Sequence, residues 1–199
     1  MARINESILD TLQTELYDNN LTLGTRRATD WLIRKLKTLQ VDRRKLMRDN
    51  ERLTPKTFVG GMFLYLYDAK WTAKLPYWDA FPLVIPVKLD NKGFEGMNLH
   101  YISPRERVAF LRQLVGHVNN TAYDETTRFR LTYDLLSNVS ALDQYKPCWK
   151  RYLWTHVKSQ FLNISAEEWY IAAVLPVANF KKQTERTVWA ESRTIRRGI

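Results

Sequence analysis

The first fifty residues carry hydrophobic side chains at the three- and four-residue spacing of amphipathic helices. The pattern predicts a first helix from Ile4 to Leu16. It predicts a second helix that begins near Thr25 and either continues to Arg52 or breaks at residues 40–42 and restarts. Pro55 ends this segment, because proline lacks a backbone N–H and disfavours helical geometry in the residue before it.

The middle of the chain is apolar and rich in aromatic residues and proline, which is typical of buried strands. Three strand candidates follow one another: Phe58 to Tyr67, Leu83 to Leu89, and Phe94 to Tyr101. The residues between the last two, 90–93, have the composition of a hairpin turn, since Asn and Gly tolerate the positive φ that such turns require. The sequence therefore predicts a small antiparallel sheet over about residues 58–101.

Helical patterns return after the sheet. Ser103 followed by Pro104 is a helix start, and Ser165 opens a capping box. Three further helix candidates cover residues Glu125 to Ser140, Tyr145 to Phe161 and Ala166 to Val174. The fold class that we expect is α+β, with the small sheet packed against a mainly helical C-terminal half and preceded by an N-terminal helical arm. The expected domains are a basic helical arm at 1–54, a single core domain at 55–180 and a basic tail at 181–199.

The composition of the 199-residue chain points to large partners. Aromatic residues make up 13% of it, and Tyr and Trp combine apolar area with a polar group, which suits interfaces. One cysteine and three scattered histidines form neither a disulfide nor a zinc-site pattern. No segment approaches the roughly 18 apolar residues of a membrane span, and no glycine spacing is typical of a phosphate loop. We expect no cofactor, no metal, no membrane contact and no small-molecule substrate.

Positive charge is concentrated in two segments of a chain whose formal net charge is +10. Residues 26–52 contain ten Lys or Arg against four Asp or Glu, and residues 181–199 contain six against two. Such segments are expected where a protein binds a polyanion or an acidic protein surface. The alternative is a solvated face whose cations pair with neighbouring carboxylates. For nucleic acid, the candidate phosphate contacts are Arg43, Arg44, Lys45, Arg48, Arg196 and Arg197.

Patterns for catalysis are weak. Asp79 with the segment 90–92 resembles a metal-dependent nuclease motif, in which two carboxylates hold Mg²⁺ and a lysine stabilises the attacking water. A structural role is favoured, because residues 90–93 already have the composition of a turn. His100 could serve as a general base, yet no nucleophile or acid motif accompanies it, which favours a structural histidine. We therefore expect a protein that is not an enzyme.

Aromatic residues supply candidate protein contacts. Three prolines between residues 75 and 87 indicate an extended segment at a sheet edge. The aromatic side chains of this segment either form a binding face or belong to the hydrophobic core. The candidate anchors for a protein interface are Trp31, Tyr77, Trp78, Phe81 and Trp189.

Four stretches of sequence resemble a family of virion-associated proteins in large contractile-tailed bacteriophages. They are residues 75–86, 96–104, 123–127 and 145–152, and the resemblance covers roughly residues 26–190. It implies a part of the virion, made in the host cytoplasm, and it transfers no catalytic residues.

Two hypotheses follow for the role of such a protein. The main one is a non-enzymatic structural component of the tail, baseplate or neck region, whose partners are other virion structural proteins. The alternative is a protein that binds the ends of the phage DNA, with duplex DNA as its partner and the basic segments as its phosphate contacts.

Overall fold

The computed structural model describes residues 7–49, 51–118 and 143–197. The helix expected at residues 125–140 and the motif at 123–127 lie outside the described residues. In the described part of the chain, no helix is sufficiently long and apolar to cross a bilayer.

Three helices form the N-terminal segment, and each begins at a polar cap. They are α1 at Ile8–Asp18, α2 at Arg26–Thr38 and α3 at Arg43–Leu46. The side chains of Ser7, Thr25 and Asp42 accept hydrogen bonds from backbone N–H groups in the first turns of these helices. The chain is extended at Leu39, so the second predicted helix breaks and restarts.

The main sheet has six antiparallel strands, which confirms the α+β fold class. Its spatial order is β1-β7-β2-β4-β5-β6, and a separate two-stranded sheet joins β3 to β8. The predicted strand at Leu83–Leu89 and the turn at residues 90–93 are confirmed, and Asp90 Oδ1 accepts hydrogen bonds from two N–H groups of that turn. The strands are β1 Leu53–Thr54, β2 Met62–Leu64, β3 Trp78–Asp79, β4 Leu83–Leu89, β5 Gly93–Asn98, β6 Trp149–Leu153, β7 Phe161–Ile164 and β8 Phe180–Lys181.

Two predicted elements are wrong in this region. The helix expected over Tyr145 to Phe161 is instead a 3₁₀ segment at Asp143–Cys148, strand β6, a 3₁₀ turn at Trp154–His156 and strand β7. Pro147 lacks the N–H that a continuing helix requires, and β6 satisfies its backbone by pairing with β5. The strand expected to reach Tyr101 ends at Asn98, whose side chain caps a 3₁₀ turn at Leu99–Tyr101.

Three helices complete the described fold: α4 at Pro104–Val118, α5 at Trp169–Val174 and α6 at Glu185–Arg197. The start of α4 after Ser103 and the capping box between Ser165 and Glu168 are confirmed. Part of the expected C-terminal tail is the helix α6, in which Val188 and Ser192 are buried. The division of the chain at residues 54 and 180 stays a prediction.

The two faces of the main sheet pack against different partners. Alternation along β2 sends Met62 and Leu64 into a core that they share with the leucines of α1 and α2 and with α4 and α5. The intervening Phe63 and the following Tyr65 point into a second cluster on the opposite face, made largely of aromatic rings. The members of this cluster are Phe63, Tyr65, Tyr67, Ala69, Val84, Phe94, Tyr152 and Phe161. Helices therefore cover one face of the sheet, and the loops around β3 and β6 border the other.

Candidate nucleic-acid interface

Helix α2 separates a buried apolar side from an exposed cationic side. Leu32 and Leu36 are buried on one side. Arg27, Arg34 and Lys37 are exposed, and helical spacing places them within one stripe opposite those leucines. In the described ranges, none of these three cations has a carboxylate within salt-bridge distance. The stripe is therefore free to bind an anion.

The short helix α3 and the turn after it carry three more exposed cations. The Asp42 side chain caps the helix through the N–H of Arg44 at 2.8 Å, while Leu46 is buried and fixes the orientation of the turn. Arg44, Lys45 and Arg48 are exposed, again with no carboxylate partner among the residues that the structure describes. We call Arg27, Arg34, Lys37, Arg44, Lys45 and Arg48 together the basic face.

Two of the arginines that sequence reasoning grouped with these are engaged inside the fold. The Arg43 guanidinium donates hydrogen bonds to the backbone carbonyls of Val177 and Ala178. The Arg196 guanidinium pairs with Glu106, and its Nε also donates to the Ser192 carbonyl. Arg197 is the last residue of α6. Of the six candidate phosphate contacts, the structure places Arg44, Lys45 and Arg48 on an exposed surface.

The five candidate interface aromatics occupy different environments. Phe81 has no exposed surface, so it packs within the chain's own core and is removed from any partner's reach. Trp31 and Tyr77 are half-buried against the main core, and Trp78 is half-buried against the aromatic cluster. Trp189 is also half-buried, and its indole N–H donates to the His100 carbonyl at 2.9 Å.

The most exposed tryptophan described is one that sequence reasoning did not single out. Trp71 is 58% exposed and lies in a loop between β2 and β3. Its carbonyl accepts hydrogen bonds from the N–H groups of Lys74 and Leu75, both at 2.9 Å, which closes a tight turn. The ammonium groups of Lys70 and Lys74 lie 5.0 and 5.6 Å from the centre of the indole ring. A planar π surface and cations are thus held together at the surface.

Lys182 fixes this turn from a neighbouring strand. Its ammonium donates to the carbonyls of Thr72, at 2.5 Å, and Leu75, at 2.9 Å. Lys182 itself has φ of 69°, a left-handed conformation that costs energy for a residue other than glycine. The β3–β8 pairing, which sets Trp78 opposite Lys181, brings the lysine to this position. We call residues 70–75 with Lys181 and Lys182 the tryptophan loop.

A buried polar centre lies beneath β3 and the 3₁₀ turn that follows β5. The Asp79 carboxylate accepts hydrogen bonds from the N–H groups of Phe81 and Asn179, from the Asn98 amide and from His100 Nδ1, the last at 2.7 Å. Burial by itself raises the pKa of Asp79, but these interactions outweigh it and lower that pKa.

His100 is neutral in this centre. Burial lowers the pKa of its imidazole and outweighs the opposing effect of Asp79, and the positive charges of Arg107 and Arg43 act in the same direction as burial. The neutral ring donates from Nδ1 to Asp79, and its buried Nε2 has no partner among the described residues.

Arg107 joins the buried centre to α5 and α6. It is 1% exposed, and its guanidinium donates to the carbonyls of Ile102, Ala173 and His100. Burial lowers its pKa to about 10. The guanidinium carbon lies 5.7 Å from the Trp189 ring centre. This arginine ties the end of the main sheet to two helices.

The two carboxylates of the nuclease-like pattern both serve the fold. Asp79 is engaged in the buried centre, whereas Asp90 holds the β4–β5 turn and pairs with Arg151 at 2.6 Å. The hydrogen bond from Arg151 is the main reason why the pKa of Asp90 is lowered. The turn interpretation of residues 90–93 is the one that the structure bears out.

One surface of the protein has the opposite sign. A groove of about 490 Å³ is lined by Asp10, Glu51, Glu167 and Glu168 around Arg52. The Arg52 guanidinium binds Asp10 at 2.7 Å, Asp49 at 3.1 Å and Glu168 at 2.5 Å, so its charge is neutralised internally. This acidic groove repels phosphate groups and limits where a polyanion can bind.

Some of this site was readable in the sequence. The segment Lys70-Trp71-Thr72-Ala73-Lys74 places a tryptophan between lysines in a polar stretch, a pattern typical of single-stranded and stacked nucleic-acid contacts. The role of Lys182 was not readable, because it depends on a contact with residues more than a hundred positions away.

The chain was compared with protein-family models, curated proteins and solved structures. A family model described as "Phage T4 terminal DNA protecting protein" matches residues 5–194. No curated protein and no solved structure matches the chain.

Proposed function

This chain belongs to the family of the phage T4 terminal DNA protecting protein, and from that premise we propose that it binds the ends of duplex DNA and shields them, without making or breaking bonds itself. The family match is the observation that carries the proposal. It makes the chain a bacteriophage protein, and it favours the DNA-end alternative over a structural role in the tail, baseplate or neck.

The basic face supports this proposal physically. Its six exposed cations have no carboxylate partner in the described ranges, so the charge is available to DNA phosphates. Each phosphate that a cation neutralises releases condensed counterions, which favours binding at low salt. If all six cations contact duplex DNA, the slope of log affinity against log salt is about −5, from about −0.9 for each phosphate.

Shielding requires only that the protein cover the terminal nucleotides. An exonuclease must reach the end of a strand, and a bound protein of 23.6 kDa occupies that space. We propose that the protein accompanies the packaged genome in the virion in this way, after synthesis in the host cytoplasm.

The first test measures protection. Linear duplex DNA is incubated with an exonuclease that degrades duplexes from their ends, with and without the protein. We expect the DNA to survive in proportion to the occupancy of its ends, and a nicking endonuclease to remain active on the same complex. Degradation at the same rate with saturating protein would refute the proposed function.

The second test assigns the binding to the basic face. We expect the triple variant Arg44→Gln, Lys45→Gln, Arg48→Gln to reduce the salt slope by about 3, since three phosphate contacts are removed. A matched control replaces Lys56, Lys88 and Lys92, three exposed lysines outside the basic face, with glutamine. Equal losses in the two variants would show that net charge alone, and no defined surface, drives binding.

A further inference from the structure

The basic face explains affinity for duplex DNA but gives no preference for an end, because phosphates line the whole duplex. An end differs from the interior in one respect: the terminal base pair exposes one flat π face. A protein that recognises ends therefore needs a flat group that can lie on that face, next to cations that reach the terminal phosphates.

The tryptophan loop has both features. Trp71 is 58% exposed, which leaves much of the indole accessible. Lys70 and Lys74 lie beside the ring, and Lys182 is hydrogen-bonded to the same turn; these three lysines and Lys181 are all exposed. Asp68 is the exposed carboxylate nearest in sequence. This concentration of positive charge favours a polyanion over an apolar protein partner as the occupant.

The loop is also held in place before any ligand binds. The Trp71 carbonyl is tied to two N–H groups of its own turn, and the Lys182 ammonium clamps the carbonyls of Thr72 and Leu75. A preorganised ring loses little conformational entropy on binding. The strained backbone of Lys182, with φ of 69°, is consistent with a residue whose position is set by this clamp.

Lys70 and Lys74 need not leave the site when a base arrives. In the free protein their ammonium groups lie 5.0 and 5.6 Å from the ring centre, in contacts that are weak at an exposed position. Lysine side chains are long and flexible, so these ammonium groups can move from the ring to phosphates while the base pair takes the face that they vacate.

We propose, on the basis of the proposed function, that Trp71 stacks on the terminal base pair of duplex DNA while Lys70 and Lys74 contact its terminal phosphates. Stacking gives the preference for an end, and the basic face gives the general affinity. A base on a single-stranded overhang offers a similar π face, so blunt and overhanging ends are compared in the test.

The experiment measures two affinities for each variant, one for a short linear duplex and one for a covalently closed circular duplex of the same sequence. The wild-type protein should prefer the linear form. We expect Trp71→Ala to weaken linear binding about 5-fold to 150-fold, the range for loss of one aromatic stacking contact, and to leave circular binding unchanged. Trp71→Phe retains a ring and should keep most of the preference.

A matched control removes an exposed ring elsewhere. Tyr17 is 83% exposed on α1, so Tyr17→Ala loses comparable aromatic surface away from the loop. A direct readout of stacking uses a duplex with 2-aminopurine at the terminal position. Its fluorescence should change on binding of wild-type protein and of Tyr17→Ala, and should not change with Trp71→Ala.

The outcomes separate this inference from the proposed function. If Trp71→Ala still prefers linear DNA and still changes the 2-aminopurine signal, the stacking proposal is overturned. If that variant also still protects DNA from the exonuclease, the proposed function is retained. If wild-type protein neither binds linear DNA nor protects it, the proposed function itself fails. Stacking on overhanging ends alone, with no effect at blunt ends, would overturn the base-pair assignment.

Discussion

Among the tryptophans that lie next to cationic side chains, Trp189 pairs with a buried cation and Trp71 pairs with exposed ones. Trp189 lies beside Arg107, whose guanidinium is 1% exposed and hydrogen-bonded to three carbonyls. Trp71 lies beside Lys70 and Lys74 in an exposed turn. The pairing of a tryptophan ring with a cation therefore has a different role in each place. Where each guanidinium nitrogen has an acceptor, the pairing stabilises the fold. Where the cations face water, the pairing is available to a ligand.

The two pairings also differ in their cation, which is an arginine in the interior and lysines at the surface. A planar guanidinium can satisfy several fixed carbonyls at once, as Arg107 and Arg43 do, whereas an ammonium on a flexible chain can change partners. Positive charge counted along the sequence is thus a poor measure of charge that DNA can contact.

The largest effect is expected from a substitution that removes the interior pairing. Replacing Arg107 by Met keeps much of the side-chain volume but leaves the carbonyls of Ile102 and Ala173 without this donor. We expect the free energy of unfolding to fall by about 3–5 kcal/mol, because buried unsatisfied polar groups are costly. Urea denaturation measures this value. The corresponding surface change, Lys70→Met, should alter the free energy of unfolding by less than about 0.5 kcal/mol. Similar losses for the two variants would contradict the distinction between the interior pairing and the surface pairing.

The pH dependence of the free energy of unfolding tests the contribution of His100 to the same interior. The pKa of His100 is lowered in the folded protein, so below about 6.5 the unfolded chain takes up a proton that the folded chain does not. Stability is therefore lost as the pH falls below about 6.5, by up to about 1.4 kcal/mol per pH unit. The lowered pKa of Asp79 adds a loss of the same sign below about pH 4.

The His100→Asn variant isolates the histidine contribution. Asparagine can still donate to Asp79 but does not titrate in this range. Unfolding measured by urea at several pH values between 7.5 and 5 should show a shallower decline for the variant than for the wild type. Parallel declines would assign the pH dependence to groups other than His100. Glu185 opposes the decline, because burial raises its pKa and the folded chain therefore takes up its proton at a higher pH than the unfolded chain.

The smallest effect is expected from substitutions of the two tryptophans, Trp189 and Trp71. Trp189→Phe removes the N–H that donates to the His100 carbonyl, while Arg107 still reaches that oxygen at 3.4 Å. We expect a loss of about 1 kcal/mol in the free energy of unfolding, the usual net value of one hydrogen bond. Trp71→Ala should leave stability in the absence of DNA nearly unchanged and weaken DNA binding. Thermal unfolding with and without linear duplex DNA distinguishes these two effects.

Local signals in the sequence predicted local structure well. Strand Leu83–Leu89, the turn at residues 90–93, the helix start near Thr25 and the capping box at Ser165 depend on neighbouring residues, and all are present. The segment from Tyr145 to Phe161 was predicted as a helix, because its role as strands depends on pairing with β5 and β2, more than fifty residues away. Tertiary pairing overrode the local pattern.

The same limit applied to the candidate site. Arg43 and Arg44 are adjacent and identical in type, yet one is bound to the carbonyls of Val177 and Ala178 and the other is exposed. No pattern within the segment distinguishes them, since the deciding acceptors lie more than a hundred residues later. Phe81 likewise looked like an interface residue and is a core residue.

The position of β7 has a consequence for how the chain reaches its native state. This strand lies between β1 and β2, so Phe161–Ile164 must insert between two segments that a ribosome produces about a hundred residues earlier. Until it does, both neighbours present unpaired strand edges, which are sites of misassociation in a nascent chain. Closing such long loops is slow, so we expect β7 to pair after the local β4–β5 hairpin has formed. Production of the protein therefore depends on keeping its early strands apart until translation has passed residue 164.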